Sequence, residues 1–139
     1  MPTYQSVETV IGQQLVAEWS YTPVRYENVE AFDETIVGRP SLAIGTDPFI
    51  AVKVMYNTSS AAEVGVNAIK RTWGNLLVEF YVKENEGTLQ NQINLDRLSA
   101  IFEYQTISDI VFRDITVLKS APHNGWYITP VMVRFYFNR

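Results

Sequence analysis

Two strand-length runs close the chain, residues 109–118 and 126–137, and between them stands Pro122-His123-Asn124-Gly125. Asn-Gly supplies both φ > 0 positions of a type I′ turn, whose twist matches that of the strands it joins. The chain is therefore expected to end in a long β-hairpin. With a two-residue loop, His123 faces Trp126, and counting back sets Lys119 against Pro130. Alternate pairs of an antiparallel ladder are hydrogen-bonded, and Lys119–Pro130 falls on such a pair. Pro130 has no N–H to give, so a bulge, an edge position or a break is expected at Thr129-Pro130.

Upstream, Tyr4, Val7, Ile11 and Leu15 recur at helical spacing, which predicts a helix over residues 3–19 that stops before Pro23. Residues 24–28 read as a short strand. An edge strand over 40–44 sits in a stretch punctuated by Gly38, Pro40, Gly45 and Pro48. Residues 49–56 are apolar on both sides, which predicts a strand buried on both faces. Residues 76–83 alternate, with Leu76, Val78, Phe80 and Val82 facing one way and Glu79 and Lys83 the other.

Between these two strands, residues 57–70 are mostly small or polar and exceed the roughly 2–5 residues of a tight hairpin. They read either as a mobile loop that a partner orders, with Val64, Val66 and Ile69 as its contact residues and Lys70 and Arg71 beside them in the same interface, or as an inert surface excursion. Deleting 59–66 is then expected to spare folding and impair assembly. A second helix, capped by Thr88, runs to about Tyr104 on a stripe of Leu95, Leu98, Ile101 and Phe102. Leu89, Ile93 and Tyr104 lie on a different face of it. They are either the edge of a wide core face or a second surface for a neighbouring subunit. The order of elements predicts one α+β domain over 1–139: a mostly antiparallel β-sheet with two main helices on one face, ending in the C-terminal hairpin.

Little in the chain suggests catalysis. Of 139 residues, 47% are hydrophobic and 19% charged, enough for a packed core. With no cysteine, disulfides, thiolate zinc sites and cysteine nucleophiles are excluded. His123 is the single histidine, beside a turn signal and without a second ligand to share a metal. The near-neighbour carboxylates Asp33/Glu34 and Glu84/Glu86 lack calcium-loop spacing, and no Gly-rich phosphate cradle or Gly-x-Ser-x-Gly elbow occurs. A non-enzyme without cofactor or metal is expected. Lys70-Arg71-x-Trp73 is the nearest approach to a basic-aromatic cluster. A net charge of −4 speaks against a grip on nucleic acid, so it reads as an anchor at the start of the next strand. Trp19, Trp73 and Trp126 each fall at an expected element boundary. No apolar run approaches the roughly 18 residues of a membrane span, and the N-terminus lacks signal-peptide character. Synthesis in a cytoplasm is expected.

Several segments together resemble the tail-terminator, or tail-completion, proteins of long-tailed bacteriophages. They are the N-terminal helix followed by Pro23-Val24-Arg25-Tyr26-Glu27-Asn28-Val29, then Arg39-Pro40-Ser41-Leu42, then Arg71-Thr72-Trp73-Gly74-Asn75-Leu76-Leu77-Val78-Glu79-Phe80. The helix ending Leu95-x-x-Leu98-x-x-Ile101-Phe102 and the closing Gly125-Trp126-Tyr127-x-Thr129-Pro130-Val131-x-Val133-x-Phe135 complete the likeness. Glu84-Asn85-Glu86-Gly87 departs from the Pro/Gly-richer turn such a family would place there. The resemblance implies a structural virion protein at the head–tail junction. It would form a homo-hexameric ring that caps the tail tube, ends tube polymerisation and meets the head–neck connector. DNA would pass through the ring without sequence-specific binding. Two alternatives remain: another neck or tail-tube component, or a ligand-binding α+β module.

Overall fold

The computed structural model describes residues 2–26, 48–61, 64–65, 68–123 and 125–139. In chain order the elements are α1 (Tyr4–Glu18), β1 (Val24–Tyr26), β2 (Phe49–Ala61), β3 (Lys70–Lys83), α2 (Leu89–Phe102), β4 (Thr106–Ile107), β5 (Ile110–Val117), β6 (Ala121–His123) and β7 (Trp126–Asn138). The strands form one sheet in the order β1-β2-β3-β7-β5-β4, with β6 paired to β7. Only the β1–β2 pair is parallel. Both helices pack on the same face, giving the expected α+β layers.

α1 begins at a capping box. Thr3 Oγ1 accepts from the Ser6 N–H and Ser6 Oγ accepts from the Thr3 N–H, so two otherwise orphaned donors are satisfied. Val7, Ile11 and Leu15 are its buried stripe. Trp19, at the C-cap, is buried, and its indole N–H donates to Thr22 Oγ1 at 2.9 Å. The sheet meets the helices through Leu76, Val78 and Phe80 of β3 and Val131, Val133 and Phe135 of β7, all buried. From α2, Leu98 and Phe102 seal the other half of this core. Gly74 is needed at its place in β3. A Cβ there would lie 2.5 Å from the Phe135 ring and 2.7 Å from the Met55 carbonyl oxygen.

The sequence expectations change in several places. Residues 57–61 are not loop: β2 continues through a register shift between Tyr56 and Ser59, and Ser59, Ser60 and Ala61 pair with Thr72, Arg71 and Lys70. Ser59 Oγ also lies 2.7 Å from Thr72 Oγ1. A deletion starting at Ser59 would therefore remove ladder, not slack. Polar residues hold a strand here because the β2–β3 ribbon needs only backbone pairing beyond the core. The connection shortens to 62–69. β2 is buried mainly on one face, not equally on two: Ile50 and Val52 are buried there, while on the other face only Phe49 is buried, Ala51 and Met55 are half-buried and Lys53 is exposed. Trp73 stands inside β3 rather than at a boundary. Thr88 occupies the N-cap of α2 but its side chain makes no capping bond. α2 ends at Phe102, and Tyr104 follows with φ 54. The expected residues 27–28 of the first strand and the edge strand over 40–44 lie outside the described residues.

The hairpin register agrees with expectation at its tip, where His123 pairs with Trp126 and Ala121 with Ile128. Asn124 itself lies outside the described residues; Gly125 has φ 84. The next expected pair, Lys119–Pro130, does not form. The pairing resumes one residue out of step, at Val117 with Val131, and the Leu118 N–H donates to the Pro130 carbonyl at 2.9 Å. The missing N–H of Pro130 therefore points at the gap between β5 and β6. On its other side Pro130 sits opposite Glu79 in unbroken β3–β7 register. A proline is tolerated in a central strand because the partner strand breaks where the donor is missing.

Candidate functional site

Strand alternation gives the sheet a second face, and no described element packs on it. β3 presents Arg71, Trp73, Asn75, Leu77, Glu79 and Tyr81 there, and β7 presents Ile128, Met132, Arg134 and Tyr136 opposite them. All are half-buried except the exposed Arg134. For a sheet face on which no described element packs, this is an aromatic and apolar composition.

Two aromatic groupings occupy it. Near one end Phe49 stacks on Tyr81 (centroids 4.4 Å apart, interplanar angle 11°) and meets Trp126 edge-on at 5.0 Å. Burial in this cluster, with Glu79 nearby, pushes the Tyr81 phenol above its ordinary pKa. Toward the other end, Trp73 and Tyr136 are cross-strand partners with ring centroids 4.7 Å apart. Arg71 lies over the Tyr136 ring at 4.5 Å and Arg134 over the Trp73 ring at 4.3 Å. Arg71 Nε also donates to Asn138 Oδ1 at 3.0 Å. The result is a ladder of guanidinium, ring, ring, guanidinium. Cation–π contacts at such sites contribute about 0.5–1 kcal/mol each and hold the arginines flat. Neither arginine meets a carboxylate among the described residues.

The helix side differs. A groove of about 550 Å³ between α1 and α2 is lined by Glu18, Tyr21, Asp96, Arg97 and Ile101, among others. Arg97 lies over the Tyr21 ring at 3.9 Å and donates to Asn94 Oδ1. Glu18 and Asp96 have no cationic partner among the described residues. Beneath α2, the buried Asn91 donates from Nδ2 to Thr129 Oγ1, leaving its Oδ1 without a partner there.

The residues singled out from sequence do not converge. Leu89 and Ile93 are 73% and 36% exposed, which decides for a solvent-facing stripe on α2 over a wide core face. Tyr104 is exposed beyond the helix end. Arg71 lies on the opposite side of the molecule, in the ladder. Lys70 begins β3, exchanging backbone hydrogen bonds with Arg139 at 2.8 Å in both directions. Arg139 reaches on to Thr72 and to the Tyr4 hydroxyl. Val64 is fully exposed and Ile69 half-buried. Val66 lies outside the described residues. Sequence reasoning missed Arg134 and Tyr136, because only the β3–β7 register brings them beside Arg71 and Trp73. Alternation within 126–137 was their available signal. His123 is exposed, in β6. Among the described residues no group of His, Asp or Glu could hold a metal. No helix there is long and apolar enough to cross a membrane.

No protein-family model matches the chain, and no characterised protein matches it in sequence. A solved structure superposes on it throughout, with a TM-score of 0.68 at 11% identity, covering 100% of this chain and 97% of that one. At that identity the likeness establishes the fold alone, and the name of the matched protein states no function. The class defined by fold and surface is a small α+β protein with helices on one sheet face and an aromatic, arginine-bearing surface on the other.

Proposed function

We propose that this chain is a structural subunit of a long-tailed phage particle, a ring-forming tail terminator. Its ring caps the tail tube, stops further tube addition and presents its other side to the head–neck connector, while DNA passes through the centre. The observation that carries the reading is the sheet face on which no described element packs, where Trp73, Tyr136, Leu77 and Met132 make the kind of aromatic and methionine-containing surface that protein partners cover. The sequence segments that resemble the family support it, because those among the described residues fall on α1, β1, β3, α2 and β7, the elements that build the sheet and its helix layer, while residues 27–29 and Arg39-Pro40-Ser41-Leu42 lie outside the described residues. No catalytic step is assigned to the chain.

Reconstruction of the particle tests the reading. The expected result is a six-fold ring of this subunit at the junction of head and tail. Another symmetry, or a place along the tube or in the neck, would transfer the chain to a neighbouring component. A monomer in solution at all concentrations that binds a small ligand would favour the ligand-binding alternative.

A further inference from the structure

We infer that the sheet face on which no described element packs docks onto the helix layer of a second copy of this chain, so that copies join head to tail. The inference rests on the ring reading and specifies which surfaces meet.

Two surfaces on opposite sides of the subunit complement each other. The sheet face offers Arg71 and Arg134, held flat on Tyr136 and Trp73, on one side of the apolar pair Leu77 and Met132, with Glu79 on the other side. The helix layer offers an outward stripe on α2, where Leu89, Ile93, Asp96 and Ala100 follow at four-, three- and four-residue steps and so lie along one line. All four are exposed. Glu18 joins Asp96 in lining the groove beside that stripe. The sheet face thus carries two guanidiniums against one carboxylate, Glu79, and the groove carries Glu18 and Asp96 against one guanidinium, Arg97, so the excess charge beside the apolar side chains is opposite in sign on the two sides among the described residues. The sheet lies between the two surfaces, so they cannot meet within one molecule. Contact between copies satisfies both, and because the patches differ, the interface is heterologous.

Single-stranded nucleic acid is the other occupant an arginine-aromatic sheet face could take. Against it, Trp73 and Tyr136 each already carry a guanidinium on a ring face, where a base would stack. The chain as a whole is also acidic, with net charge −4.

Because the full chain has no cysteine, any disulfide reports a placed pair. Leu77→Cys marks the sheet face and Ile93→Cys the α2 stripe. Mixing the two variants under mild oxidation at concentrations up to about 1 mM, in low salt, should give a mixed-disulfide dimer, with neither variant alone giving a comparable yield. Adding Arg71→Glu and Arg134→Glu to the sheet-face variant should cut that yield about tenfold or more, as like charges then oppose. Glu18→Arg and Asp96→Arg on the other copy should restore it, a rescue that misfolding would not produce. A Leu77→Cys self-dimer in preference to the mixed one, or no mixed disulfide at any concentration, overturns the inference. So does tight binding of a single-stranded oligonucleotide that the two arginine reversals abolish. A chain carrying both cysteines separates this contact from the ring itself. An open-ended covalent ladder keeps the contact and removes the ring, while six-fold rings without the disulfide keep the ring and remove the contact.

Discussion

β3 and β7 carry two faces made from alternate residues of the same backbone, and those faces have opposite properties. On the helix side, Leu76, Val78, Phe80, Val131, Val133 and Phe135 are sealed beneath α1 and α2. On the other side, Leu77, Trp73, Met132 and Tyr136 of the same two strands stop at half-burial, and two arginines lie on the rings. A strand face therefore need not be polar where no described element packs on it. Large aromatic side chains and cross-strand stacking shelter one another and hold the surface in shape there. Stability should reside on the first face and recognition on the second, a division that substitutions can break.

The largest effect is expected at Phe135. Its ring packs with Phe112, Phe137 and Tyr56, with centroids 5.7, 6.5 and 6.4 Å away. Phe135→Ala should cost roughly 3–5 kcal/mol in denaturant unfolding, while Leu77→Ala on the open face should cost well under half of that. Equal losses would show that the open face is covered and the comparison mistaken.

Gly74→Ala comes next. The new methyl would sit 2.5 Å from the Phe135 ring and 2.7 Å from a backbone oxygen of Met55. The ring can shift but the carbonyl is fixed by the β2–β3 ladder, so a loss of about 1–3 kcal/mol is expected. A neutral substitution would mean that the sealed face has more slack than its packing indicates.

How far these faces could be read from sequence depends on where their information lies. The helices, the alternation of 76–83 and the hairpin tip were legible because each depends on local spacing or on a turn dipeptide. The Pro130 disturbance was legible too, since a missing donor must fall somewhere in the register. The course of β2 past Tyr56 was not, because Ser59, Ser60 and Ala61 have no apolar period and are held only by their partners on β3. Asn91 and Asn94 were missed for the converse reason. Both are buried on α2, where the usual expectation for asparagine is exposure. On the candidate surface, Arg71 and Trp73 were visible as a short motif, but their partners Arg134 and Tyr136 lie more than fifty residues along the chain. Only the strand order β3-β7, which no local pattern encodes, unites them.

Within the open face a smaller effect is expected. Arg134→Gln removes one guanidinium from the Trp73 ring and should cost no more than about 1 kcal/mol of stability, with the melting curve otherwise unchanged. The same variant should weaken self-association measurably at low salt and hardly at all at high salt, where exposed charges are screened. If it unfolds the subunit, the ladder is part of the core and the two faces are not separable by role.

The smallest effect tests where the sealed face ends. Tyr56 lies at its rim, packed against the core, with its hydroxyl donating to the Tyr4 carbonyl at 3.1 Å. Burial first, then the charge of Glu8 and the neighbouring Tyr4, pushes its phenol from 10.0 up to about 12. The unfolded chain would lose this proton near pH 10 and the folded chain only near 12. Through that window the folded state holds more protons, so its stability falls as pH rises. Tyr4 acts in the opposite sense below pH 10. Hydrogen bonding, chiefly with Ser59, lowers its phenol, so the folded state sheds that proton first and gains stability as pH approaches 10. Tyr56→Phe isolates the first effect. At pH 7 it should cost on the order of 0.5 kcal/mol for one exposed hydrogen bond, and between pH 10 and 12 the variant should lose less stability than the parent. Parallel curves over that range would place the Tyr56 phenol in water and move the edge of the sealed face inward to Val54.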